Sequence, residues 1–209
     1  LEQAHYWRGE YERAVELATD NLAALPADWV YEYLGMPAPP SVYDRFWLFM
    51  SLAELGRFAE VAEYEAEAIR LAEPTQHAHT VGLAHFAAGT LHLLKGDWAK
   101  ARSLIEHVIA VLRTGNVVLL LPWAVASSAW VLAQLGEARE ALNRLREAEQ
   151  FLERSAARGI VGQHGWAYHA LGRTSLLLGR LDEARRLGDR AIESSPRHQG
   201  FMAHAQHLL

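Results

Sequence analysis

The sequence predicts an all-α protein built from antiparallel helix pairs, and three observations carry that prediction. Five glycines, Gly9, Gly56, Gly96, Gly136 and Gly179, recur at spacings of 47, 40, 40 and 43 residues, within the range of solenoids made of helix pairs. Each stands five residues before a small side chain: Ala14, Val61, Ala101, Ala141 and Ala184. Helical signals cover nearly the whole chain, and no segment has the alternation and turn spacing of a sheet.

The repetition has a direct physical reading. Glycine takes the left-handed conformation that closes a helix, so a second helix starts at once and folds back on the first. The small residue five places on lies where the two helices must approach closely. The surrounding text repeats as well, as Leu-Ala-Glu-Leu-Gly-Arg-Phe from Leu52 to Phe58 and Leu-Ala-Gln-Leu-Gly-Glu-Ala from Leu132 to Ala138. An aromatic follows two places after the glycine in three copies, as Tyr11, Phe58 and Trp98.

Taken in order, the first helix covers 10–25 and is closed by Pro26. Residues 26–40, with Pro26, Pro37, Pro39 and Pro40, form the one long connection and account for the 47-residue spacing. Ser41 is a good N-cap for a helix over 42–55, and 57–73 follows, closed by Pro74. The next pair is 76–95 and 97–113, ended by Thr114, Gly115 and Asn116. A helix then runs to Leu135, with a kink or a late start at Pro122, and its partner covers 137–157. The last full pair is 163–178 and 180–194, before Pro196, and 199–209 begins another helix.

At 209 residues and 51% hydrophobic content, the chain buries a substantial core. The repeats favour one elongated domain over 1–209, about five helix-pair units with the first and last incomplete. Both ends look cut from a repeat, so the expectation is a fragment of a longer protein whose exposed repeat ends make an oligomer feasible. A net charge of −5 without a basic run argues against nucleic acid as the partner. No cysteine is present, which excludes disulfides and thiolate metal sites and fits a reducing compartment such as the cytoplasm. The longest apolar run, Val117 to Ala126, is about half of the ~20 residues that span a bilayer, so no membrane span is expected.

On these features the chain resembles the tetratricopeptide repeat family, whose 34-residue unit carries small residues where its paired helices cross, a turn glycine, an aromatic after it and a closing proline. Anchored on the turn glycines, Gly89, Ala129 and Gly172 fall at the first small position, where Phe49 departs. Ala14, Ala101, Ala141 and Ala184 fall at the second, with Val61 a mild departure. Ala68, Ala148 and Ala191 fall at the third, where Asn21 and Val108 depart. The closing proline is present as Pro26 and Pro196 only, so residues 163–196 match best. The longer repeat resembles helical arms of bacterial signalling ATPases, transcription activators and nucleotide cyclase proteins.

The resemblance implies a right-handed superhelix whose first helices line a concave face. Its groove positions are then Tyr43, Phe46 and Met50; Leu83, Phe86 and Thr90; Trp123, Ala126 and Trp130; and Trp166, His169 and Arg173. Such an aromatic lining gives large contact area at small entropic cost and suits an extended or helical apolar segment. Tight coiling would instead pack the same side chains into neighbouring repeats, and both readings stay open. His169 and Arg173, four apart on one helix face, are placed to hold a carboxylate or phosphate, or else serve only the helix surface.

Arg45 and Glu65 occupy core positions of the pair 42–73, where large apolar residues are expected, and are predicted to pair as a structural ion pair. The bland alternative is a shifted helix that turns Glu65 to water. Glu60, Glu63 and Glu67 read as a solvated face. Of the eleven histidines, His85 with His92 and His204 with His207 share helix faces, but neither pair has an acidic third ligand nearby in sequence, and no metal site is expected. Neither a Gly-rich phosphate loop nor a Gly-x-Ser-x-Gly turn is present, so no cofactor and no catalytic residue is assigned. The connection at 26–40, with Trp29, Tyr31, Tyr33, Leu34 and Met36, is expected to fold onto the helices, partly as a short helix, or else to form a docking patch.

The function these features point to is a non-catalytic module of a bacterial regulatory protein, binding a peptide, a partner protein or a neighbouring domain in the concave groove. The alternative is a sensor arm enclosing a small molecule in a pocket lined by Trp123, Trp130, Trp166 and Arg173 and signalling to an output domain.

Overall fold

The computed structural model describes residues 1–159, 164–195 and 198–209, with backbone alone at Glu63. Pro196, the expected closing proline, and residue 163, the expected start of a helix, lie outside the described residues. The described chain is all-α, without strands: α1 (Glu2–Trp7), α2 (Tyr11–Ala24), α3 (Pro40–Glu54), α4 (Phe58–Ala72), α5 (Ala78–Lys95), α6 (Trp98–Thr114), α7 (Leu121–Gln134), α8 (Ala138–Ala156), α9 (His164–Leu177), α10 (Leu181–Glu193) and α11 (Gln199–Gln206), with 3-10 turns at Ala27–Trp29 and Glu73–Thr75.

The glycine-joined helices α3–α4, α5–α6, α7–α8 and α9–α10 pack as antiparallel pairs. Each of the five repeated glycines turns the chain from one helix into the next. All have positive φ, from +70° at Gly56 and Gly179 to +90° at Gly96, a conformation that penalises any Cβ. After each glycine the next amide reaches five residues back, as Arg57 N to Leu52 O and Asp97 N to His92 O, both at 2.9 Å. These are Schellman closures, which satisfy carbonyls that the helix end would otherwise strand. The small residues five places on, Ala14, Val61, Ala101, Ala141 and Ala184, are fully buried. Gly89 marks a second close approach. A Cβ there would lie 2.7 Å from Ile105 Cγ1 on the paired helix.

The chain divides into two compact units, Leu1–Tyr6 with Glu10–Leu120, and Trp7–Gly9 with Leu121–Leu209. In the first, α2 packs on α3, α3 on α4 and α5, and α5 on α6; in the second, α7 packs on α8 and α9, and α9 on α10 and α11. The two helices of a pair differ in kind. The second helices are amphipathic: α8 buries only Ala141, Leu145, Ala148 and Leu152, and α10 only Ala184, Leu187, Gly188 and Ala191, at the three- and four-residue steps of one face. The first helices α3, α5, α7 and α9 are buried on nearly every side, as their mostly apolar and small residues require.

One local expectation is corrected and another is resolved between its two alternatives. Ser41 does not cap its helix: α3 begins at Pro40, and the Ser41 hydroxyl instead donates to the Val30 carbonyl at 2.5 Å, holding down the long connection. Proline suits the first turn, where its missing N–H has no helical partner anyway. Pro122 likewise lies in the first turn of α7, so this helix starts late and is not kinked. No helix of the described residues is long and apolar enough to cross a membrane.

Candidate functional site

The side chains expected to line a groove are mostly interior. Phe46, Met50 and Phe86 are buried in the first unit, and Trp123, Trp130, Trp166 and His169 in the second. Only Tyr43 and Arg173 are half-buried. The cause is ring-to-ring packing between successive first helices. Phe46 of α3 meets Phe86 of α5 at 6.4 Å between centroids and Trp47 edge-on at 4.8 Å. Trp130 of α7 meets Trp166 of α9 at 6.3 Å, and Phe201 of α11 approaches Trp123 at 6.3 Å and Trp166 at 6.4 Å. The Trp166 indole N–H donates to Ser127 Oγ at 3.2 Å. A stripe of aromatics carries the same signature whether it faces a groove or a core, and here it serves the core.

His169 and Arg173 are not arranged as an anion clamp. His169 is edge-on to Trp130 at 5.6 Å and lies 4.9 Å from the His204 ring. Burial, assisted by His204 and Arg173, holds its pKa well below the usual value, so the imidazole is neutral near pH 7. Arg173 spreads over Trp130, its Cζ 5.4 Å from the ring centroid, a cation–π contact.

The expected Arg45–Glu65 pair does not form, because each residue is taken by another partner. Arg45 Nη1 donates to the Ser41 carbonyl at 2.7 Å and Nη2 to Glu67 at 3.2 Å. Glu65 faces away from α3, toward α5 and α6, accepting from His92 Nε2 at 3.0 Å and pairing with Lys100 Nζ at 2.9 Å. Burial alone would raise the Glu65 carboxyl, but the hydrogen bonds from Lys100 and His92 outweigh it and hold it below the usual value. Residues two apart on a helix point about 200° apart, so Glu67 reaches Arg45 while Glu65 reaches the opposite neighbour.

The long connection is where apolar surface remains open. It is tied down by Ser41, by Tyr33, whose hydroxyl lies 3.4 Å from Thr80 Oγ1 and whose ring is edge-on to His77, and by the fully buried Ala38. Trp29, Tyr31 and Leu34 nevertheless stay 45%, 49% and 53% exposed, so the expected packing of this segment is only partial. Two clefts flank it. One of about 450 Å³ is lined by Leu17, Leu25, Trp29, Leu34, Met36 and Asp44. The other, of about 330 Å³, is lined by Leu22, Val30, Tyr31, Arg45, Glu67 and Arg70. In the second, Glu67 Oε1 lies between Arg45 at 3.2 Å and Arg70 at 3.6 Å. Burial draws the Arg45 guanidinium below its usual pKa, and Glu67 opposes that.

The pair α9–α10 combines the features of one repeat most completely: Gly172 at the helix crossing, Gly179 in the turn, and the buried Ala184 and Ala191. Residues 165–195 match the family model of the tetratricopeptide repeat. The matched segment is the stretch whose glycine and alanine positions agree best with that repeat in the sequence. A tetratricopeptide repeat suggests a protein-interaction module. No curated protein matches the chain.

Proposed function

We propose that this chain is a non-catalytic protein-binding module of a regulatory protein, and that it recognises a peptide segment carrying apolar side chains beside a carboxylate. Exposure of Trp29, Tyr31 and Leu34 between two clefts carries the reading. Large apolar side chains grouped on a surface mark interaction sites more often than scattered ones do, and aromatics dominate interface energetics. Arg45 and Arg70, with Glu67 as the single acid between them, leave the second cleft with a net positive charge suited to a carboxylate. The tetratricopeptide repeat at 165–195 supports a binding role over a catalytic one.

The test is selection of peptides from a displayed random library against the intact chain, followed by fluorescence polarisation with Tyr31→Ala and Arg70→Glu. The reading expects selected peptides rich in apolar and acidic residues, with binding weakened at least about tenfold in both variants. Enrichment of no peptide, or equal binding to wild type and both variants, overturns it.

A further inference from the structure

Three potential ligands lie together where α4 ends against the α5–α6 pair. Glu73 sits in the 3-10 turn that follows α4, His85 in the middle of α5 and His107 on α6. One ligand atom from each falls within 4.8 Å of the other two. His85 Nε2 is 2.7 Å from Glu73 Oε1, and the rings of His85 and His107 are 4.5 Å apart between centroids. His85 is buried, whereas Glu73 and His107 are exposed. The buried imidazole is thus a fixed point, with two adjustable side chains at the solvent edge.

We infer that Glu73, His85 and His107 form a binding site for a divalent transition metal, with zinc as the ion best suited. Two imidazoles and one carboxylate are a recurrent zinc donor set, and they leave a fourth position open to water. Ligands around a tetrahedral zinc are separated by about 3.3 Å, given metal–ligand distances near 2 Å. Reaching that spacing means widening Glu73–His85 from 2.7 Å and turning the His107 ring about its own side-chain torsions, movements of the two exposed side chains. Soft thiolate-selecting metals are disfavoured because no cysteine is present. The site escapes a reading of histidine spacing because its ligands come from three elements, 12 and 22 residues apart in the chain.

Calorimetric titration of the intact chain with zinc chloride tests the site, alongside Glu73→Gln, His107→Ala and the double variant His204→Ala/His207→Ala. Both single changes are at exposed positions, and unfolding curves without metal check that each variant is folded. One equivalent of zinc is expected, with affinity lowered at least about tenfold in Glu73→Gln and in His107→Ala, and unchanged in the His204/His207 variant. The inference is overturned if the wild type binds no zinc, if its affinity survives both single changes, or if removing His204 and His207 abolishes binding.

Discussion

Lys100 Nζ lies 2.9 Å from one oxygen of Glu65 while His92 Nε2 lies 3.0 Å from the other, so a single carboxylate on α4 ties together α5 and α6. Its side chain is only 14% exposed, which places the junction in a weakly screened setting. Hydrogen bonds to a charged, partly buried group contribute about 1.5–3 kcal/mol. Glu65→Gln keeps the shape and removes the charge, and is expected to lower stability in urea unfolding at pH 7 by about 2 kcal/mol. The folded pKa is depressed, so this contribution is present above the unfolded value of about 4.3 and fades as pH falls through the lower folded value. A Glu65→Gln protein as stable as wild type at pH 7 would rule out this role.

Asp44 titrates in the opposite sense. Burial, with the nearby Glu2 carboxylate, raises it to about 7. The folded chain therefore holds a proton that the unfolded chain releases near pH 4, and stability falls as pH rises from about 4 to about 7. Asp44→Asn is expected to match wild type near pH 4 and to exceed it above pH 8, as read from the thermal midpoint across pH. A wild-type midpoint that stays level from pH 4 to 8, or an asparagine variant that follows the wild-type curve, contradicts the assignment.

Two glycines on first helices separate helix propensity from packing. At Gly89 an added methyl meets Ile105, itself fully buried, with Leu104 Cβ at 3.4 Å. Alanine gains about 1 kcal/mol of helix propensity but overpacks a filled interior at about 1–3 kcal/mol, so Gly89→Ala is expected to destabilise by up to about 2 kcal/mol. At Gly172 the methyl meets the tip of the Leu208 side chain. The atom it meets, Leu208 Cδ1, is the far end of a flexible side chain and not backbone, so Gly172→Ala is expected to change the unfolding free energy by less than about 0.5 kcal/mol. Equal losses at both positions would show that the clash with Ile105 is relieved as easily as that with Leu208.

The architecture was legible because its main device is local. Gly9, Gly56, Gly96, Gly136 and Gly179 fix where one helix stops and the next starts, and each requires nothing beyond its own neighbours in the chain. Positions along the helices depend on what packs from elsewhere. The stripe of Phe46, Phe86, Trp130 and Trp166 was correctly placed on the first helices, but whether it faced a groove or a core depended on contacts between successive repeats. Arg45 and Glu65 were recognised as misfits, yet their partners Glu67, His92 and Lys100 follow from a rotation of α4 that periodicity leaves undetermined. Glu73, His85 and His107 escaped for the same reason, since no spacing within one helix relates them.

The Schellman turns also shape how the chain acquires its structure. Each joins two helices with no intervening loop, so the contacts of a pair form between residues a few tens apart in sequence, and closing them costs little chain entropy. Within each unit, folding can start at whichever pair first collapses around its glycine and spread to its neighbour. Each closure rests on its own turn, so opening one pair leaves the closures of the others in place.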